Sequence, residues 1–283
     1  MKNLCLLILL CNTVLAWGQD KGEVILISGD FSFTEGPARD SLGNIYFTDQ
    51  PNNRIWKYSS GGQLSLFLEP AGRSNGLYID QEGYIIACAD QNNELWRIST
   101  TTKQKEVLVK GYKSKKLNGP NDLWISKQGI IYLSDPYYQR SYWTRTKSEL
   151  PEAVYKLVGT ELQNLDADFG RPNGIVGSPD GTLLYVADIG ASKTYVYDIL
   201  DDGALANKKL FCARGSDGMT VDQNGNLYLT GDGVFVYNAQ GEQIKHIRVP
   251  AKWTANVCFG GSNNEYLFIT ASEKVFKIYP DWL

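Results

Sequence analysis

Short runs of apolar or alternating residues recur along the chain, separated by turns that carry Gly or Asn. Alternation of period two, bounded by such turns, predicts antiparallel hairpins. No segment of helical period reaches useful length. Laid against one another, the runs expose a repeat: a polar anchor, a small or apolar residue, a short strand, a turn, and a second strand ending on a small or acidic residue. Six copies open on Glu35-Gly36-Pro37, Asn75-Gly76-Leu77, Asn121-Asp122-Leu123, Asn173-Gly174-Ile175, Asp217-Gly218-Met219 and Asn256-Val257-Cys258. Their anchors are 40, 46, 52, 44 and 39 residues apart, the length of a four-stranded propeller blade.

The pattern predicts second strands over 45–49, 84–90, 130–135, 183–188, 227–230 and 266–271. Third strands follow over 55–58, 94–98, 153–157, 194–198, 234–237 and 275–278. One run is left over, at 24–28, and can complete the last blade, closing the ring and removing two sheet edges. The expected fold is therefore an all-β, six-bladed propeller with four antiparallel strands per blade, forming a single domain over residues 19–283. The third repeat is the longest because of extra residues over 136–150, where Tyr137, Tyr138, Tyr142 and Trp143 cluster. Such an insertion either covers a site or packs as a surface loop.

Composition narrows the function classes. Apolar residues at 43% and charged residues at 21% suit a soluble protein with a substantial core. A net charge of −3 without a long basic run gives no basis for nucleic-acid binding. Lys2, the apolar stretch 4–16 and Ala16-Trp17-Gly18 read as a signal peptide cut after Gly18. It is too short to span a bilayer comfortably, so the expectation is a secreted or periplasmic protein with no membrane partner. Cys5 and Cys11 would leave with this leader. Cys88, Cys212 and Cys258 remain, an odd number inside apolar runs, and predict buried thiols rather than a disulfide framework.

Equivalent positions of a propeller form a ring about its axis, so the six anchors converge. They are carboxylates and amides only, the ligand set of a hard cation such as calcium. Glu35 and Asp217 would offset its charge, and without it two facing carboxylates would repel until one takes a proton. Zinc's usual His and Cys ligands are absent. Asn and Asp also cap turns, which explains Asn75 and Asn256 well and Glu35 poorly. Other designs find no support: His246 is the sole histidine, no Gly-x-Ser-x-Gly elbow occurs, and no phosphate-binding glycine loop is present.

The chain from about Glu35 to Ile278 resembles the SMP-30/gluconolactonase/luciferin-regenerating-enzyme family. The resemblance rests on Glu35-Gly36-Pro37, Leu117-Asn118-Gly119-Pro120-Asn121-Asp122-Leu123, Leu133-Ser134-Asp135-Pro136-Tyr137, Arg171-Pro172-Asn173-Gly174-Ile175, Leu184-Tyr185-Val186-Ala187-Asp188 and Ser216-Asp217-Gly218-Met219, in order and at blade spacing. It implies metal ligation by Glu35, Asn121, Asn173 and Asp217, with Asn75 and Asn256 left as lining residues or turn caps. It also implies hydrolysis of lactones, often sugar lactones, or of organophosphates in some relatives. The ion would be calcium in the first place, with zinc, magnesium or manganese as alternatives. Asp217 is then the candidate catalytic base as well as a ligand. Asn121, Asp122, Tyr137 and Arg171 are candidate contacts to a small-molecule substrate, and turn chemistry is the favoured role for Asp135. A non-catalytic binding propeller that keeps the metal is the competing reading. A monomer is the simplest assembly for a ring with no open edge.

Overall fold

The computed structural model describes residues 22–281, so the leader expected over 1–18 lies outside the described residues. All regular elements among them are strands, gathered in six four-stranded antiparallel sheets. Each sheet is one blade. The inner strands are Thr34–Arg39, Ser74–Ile79, Leu123–Ile125, Pro172–Gly177, Met219–Val221 and Asn256–Gly260, and each contacts the inner strands of its neighbours around the ring. The last sheet draws its outermost strand from the other end of the chain: Val24–Ser28 pairs antiparallel with Lys274–Ile278, beginning Val24 opposite Ile278. The ring is closed in the way the leftover run predicts.

Burial follows position in the blade. Second strands such as Ile45–Asp49, Ile131–Asp135 and Leu227–Gly231 are buried at every residue. Both faces of a blade are covered by neighbouring blades, so these strands read as continuous apolar runs rather than alternating ones. Apolar clusters fill the gaps between blades: Phe47 and Tyr58 of the first meet Phe268 of the last, while Trp124, Val186 and Leu229 tie the third, fourth and fifth together. The outer strands Leu64–Leu68 and Gln243–Ile247 are largely exposed. Cys88 and Cys212 are buried free thiols, and Cys258 is half-buried. His246 is exposed, stacked on Phe235 at 4.0 Å between centroids.

The inner strands come together because a glycine follows most anchors. A Cβ on Gly36 would sit 2.2 Å from the Asn75 carbonyl oxygen of the next blade, and one on Gly174 would sit 2.3 Å from the Asp217 carbonyl oxygen. Any larger residue there pushes two blades apart. Gly174→Ala is therefore expected to cost about 2–3 kcal/mol, the range of an overpacked core. For a chain of this size the corresponding loss in Tm is roughly 5–10 °C. Thermal unfolding followed by circular dichroism checks it, and an unchanged Tm would contradict this account of how the blades converge.

Candidate functional site

The anchors stand at the start of the inner strands, where the backbone is already fixed by the blade. Asn121 receives this treatment twice over, its N–H donating to the Ser134 carbonyl oxygen at 2.9 Å and its own carbonyl accepting from Gly76 N–H at 2.7 Å. Five anchors, Glu35, Asn75, Asn121, Asn173 and Asp217, line one pocket of about 410 Å³ at the mouth of the channel. Phe33, Pro51, Ile189 and Trp253 give it apolar walls, and Gln50, Tyr138 and Arg140 add polar ones. The sixth anchor, Asn256, lies deeper. Its Nδ2 donates to Glu35 Oε2 at 3.3 Å and to Asp122 Oδ2 at 3.4 Å, joining the two carboxyls.

Each candidate ligand is held by a partner. Glu35 Oε2 accepts from Gly36 N–H at 2.8 Å. Asn173 Nδ2 donates to the Tyr138 hydroxyl at 3.1 Å. Trp253 Nε1–H donates to Asp217 Oδ2 at 2.6 Å. The amide oxygens of Asn75 and Asn173 are buried with no hydrogen-bond partner. An unpartnered buried carbonyl costs about 1–3 kcal/mol, and two of them beside two carboxylates make a cavity whose polarity is unbalanced without a positive charge. A hard divalent cation fits this donor set, which is oxygen throughout. Glu35, Asn121, Asn173 and Asp217 would hold it, with Asn75 as a further oxygen donor.

The electrostatics point the same way. Burial pushes the Glu35 carboxyl well above the usual carboxylate range, and the Asp217 and Asp122 charges push it further. Burial raises Asp217 to about 6, against the Trp253 and Asn173 hydrogen bonds and the Arg140 charge, which pull it down. Asp122 is raised to about 7, again first by burial. Three carboxyls thus compete for negative charge in a small desolvated volume.

The other candidates fall into place around this centre. Asp122 lines the channel below the pocket, together with Leu77, Ile175 and Met219. Tyr137 points out of the pocket, its hydroxyl bonded to the Gln139 side chain and its ring 6.0 Å from that of Trp143. Arg171 lies outside the lining too, its guanidinium 4.9 Å over the Tyr138 ring and its Nε 3.7 Å from Glu152. Asp135 accepts from the N–H groups of Asn118 and Gly119, both at 2.8 Å, a turn-holding role. The insertion over 136–150 covers the site edge through Tyr138 and Arg140. Sequence reasoning passed over Phe33, Gln50, Arg140 and Trp253. Three of them lie just before an anchor or just after a second strand, the segments that a blade brings to the same channel end, and that rule would have found them.

The SMP-30/Gluconolactonase/LRE-like model matches residues 33–273, nearly the whole ring and every anchor. The chain belongs to this family. It is 30% identical to a gluconolactonase of Zymomonas mobilis over 89% of this chain and 80% of that protein. It is 24% identical to the diisopropyl-fluorophosphatase of Loligo vulgaris over 87% and 88% of the two chains. A solved gluconolactonase of Xanthomonas campestris superposes with a TM-score of 0.83 at 26% identity, covering 90% of this family member and 88% of that chain.

The raised carboxyls would make affinity for a cation depend on pH, and the sign is fixed. Their folded values lie above the unfolded ones near 4, so the metal-free fold binds more protons than the unfolded chain. The stability this brings is complete below the unfolded values and lost as pH rises through about 6–7. A cation held by Glu35 and Asp217 would need those two ionised, so its affinity would change in the opposite direction. Between about pH 5 and pH 8 the gap in Tm between calcium-loaded and chelator-treated protein should widen, towards the roughly 6–12 °C that about 3 kcal/mol of stabilisation brings at an ion excess near a hundredfold over Kd. Scanning fluorimetry measures it. A gap independent of pH would contradict the assignment of Glu35 and Asp217 as ligands.

Proposed function

We propose that this family member hydrolyses sugar lactones or related esters with the help of one divalent cation, calcium being the ion its oxygen donors suit best. The observation that carries this reading is the convergence of Glu35, Asn121, Asn173 and Asp217 on a pocket of about 410 Å³, where buried amide oxygens lack partners. Support comes from its relatives, which include the gluconolactonases of Z. mobilis and X. campestris.

The pocket suits a small polyol ring. Phe33, Pro51, Ile189 and Trp253 offer flat apolar surface to the C–H faces of a sugar, while Gln50, Asn75 and Tyr138 stand by for its hydroxyls. An ion held by Glu35, Asn121, Asn173 and Asp217 would supply Lewis acidity to the ester carbonyl. Asp217 takes the proton from the attacking water as the new C–O bond forms. The ring C–O bond breaks, the ring oxygen receives that proton, and the product is the open hydroxy acid. A cation beside Asp217 would keep this carboxyl ionised and so able to accept a proton. Trp253 fixes the orientation of this carboxylate, and Tyr138 fixes that of Asn173. The leader-like residues 1–18 support action outside the cytoplasm.

Asp217→Asn keeps the shape and the Trp253 contact but removes the base and one negative charge. It is expected to lower kcat on glucono-1,5-lactone in the presence of calcium by about 10³-fold, with the circular dichroism spectrum unchanged. Acid release followed in a pH-stat measures it. Turnover undiminished in that variant would remove Asp217 from the mechanism. Calcium-raised stability with no turnover of any lactone or phosphoester would favour a propeller that only binds.

A further inference from the structure

A second cavity, of about 470 Å³, adjoins the pocket and shares Gln50, Pro51 and Arg140 with it. Its remaining lining includes Arg73, Ser141 and Tyr142, and the only formal charges on its walls are those of Arg73 and Arg140. Arg73 donates through Nη1 to the Pro51 carbonyl oxygen at 2.8 Å and lies 4.6 Å over the Tyr142 ring. Among the described residues it enters no ion pair. Arg140 donates a side-chain hydrogen bond through Nε alone, to Asp90 Oδ2 at 2.9 Å in an ion pair, and its guanidinium lies 5.7 Å over the Tyr138 ring.

Asp90 indicates that this groove is built. It stands one residue beyond the second strand Ile85–Ala89 of its blade, whereas the first, third and fourth blades end that strand on an aspartate. Those three, Asp49, Asp135 and Asp188, each accept from two consecutive backbone N–H groups of their own blade's entry loop. Asp90 instead accepts side chains: Arg140 Nε, the Tyr142 hydroxyl, and Gln50 Nε2 at 3.3 Å. Its side chain is only 3% exposed. Where three blades use a strand-ending carboxylate to hold their entry loop, the second blade has Ala89, and the next residue, Asp90, holds an arginine and a tyrosine of the insertion against the pocket.

We infer that this groove is a subsite for an anionic group, a carboxylate, phosphate or sulfonate, carried by the substrate at the end away from its ester. The inference rests on the lactone reading and names its substrate class as acidic sugar lactones. Two guanidinium groups with free N–H donors match the paired oxygens of such groups. Asp90 is a positioning residue, since it reaches the ligand only through Arg140 and Tyr142.

Binding to calcium-loaded protein tests the subsite without requiring turnover. By titration calorimetry, 6-phosphogluconate should bind about tenfold more tightly than gluconate. The preference should shrink with added salt and fall to within about threefold in Arg73→Gln. Both proteins carry the same calcium, so that change reads the groove and not the ion. Ser141→Asp, at an exposed position of the lining, should lower the preference as well and serves if Arg73→Gln fails to fold. A wild-type preference below about threefold, or one that survives both substitutions, overturns the subsite. Hydrolysis of glucono-1,5-lactone without that preference would leave the hydrolase reading standing and remove the subsite. The preference with no hydrolysis of either glucono-1,5-lactone or an acidic sugar lactone would do the reverse.

Discussion

Everything at the centre of this molecule depends on how closely one blade's anchor passes the next blade's glycine. The Gly36 and Gly174 contacts bring successive inner strands together with no side chain between them. A ring drawn that tight cannot also hold bulky side chains at its mouth, so the anchors are short or reach inward by their tips. They are polar because the mouth opens to water on one side, and desolvated because blades surround it on the others. The clustered carboxyls of Glu35, Asp122 and Asp217 are a direct consequence, and their raised values express the cost of that arrangement. A cation would turn the same cost into binding energy.

The third blade adds the second layer of the account. Its insertion supplies Tyr138 to orient Asn173 and Arg140 to border the pocket. Asp90 ties the insertion to the second blade through Arg140 and Tyr142, while Trp143 Nε1 donates to the Asp90 carbonyl oxygen at 2.9 Å. The wall opposite is Trp253, 37% exposed, from the segment before the last blade. A rigid ring therefore sets the ligands, and two segments outside the blades set what can approach them.

Much of this is legible in the sequence, for reasons that differ by element. Second strands are buried on both faces, so 45–49, 183–188 and 266–271 announce themselves as apolar runs and match the observed bounds. Outer strands such as Leu64–Leu68 and Gln243–Ile247 face solvent and carry no such signal. The anchors are legible because they recur once per blade. Tyr138 rather than Tyr137 faces the pocket, a matter of one residue in an irregular loop that no periodicity fixes. The pairing of Asp90 with Arg140 spans 50 residues and joins two blades, so it has no local trace.

The most direct test of the central claim is terbium luminescence, since Tb³⁺ replaces calcium at oxygen sites and is excited by a neighbouring indole. Trp253 donates to Asp217 Oδ2 at 2.6 Å and would sit beside the ion. The account predicts saturable emission at one terbium per chain, displaced by calcium and largely lost in Trp253→Phe while the ion still binds. Emission of full strength in Trp253→Phe, or none in the native protein, would place the ion elsewhere and contradict the site.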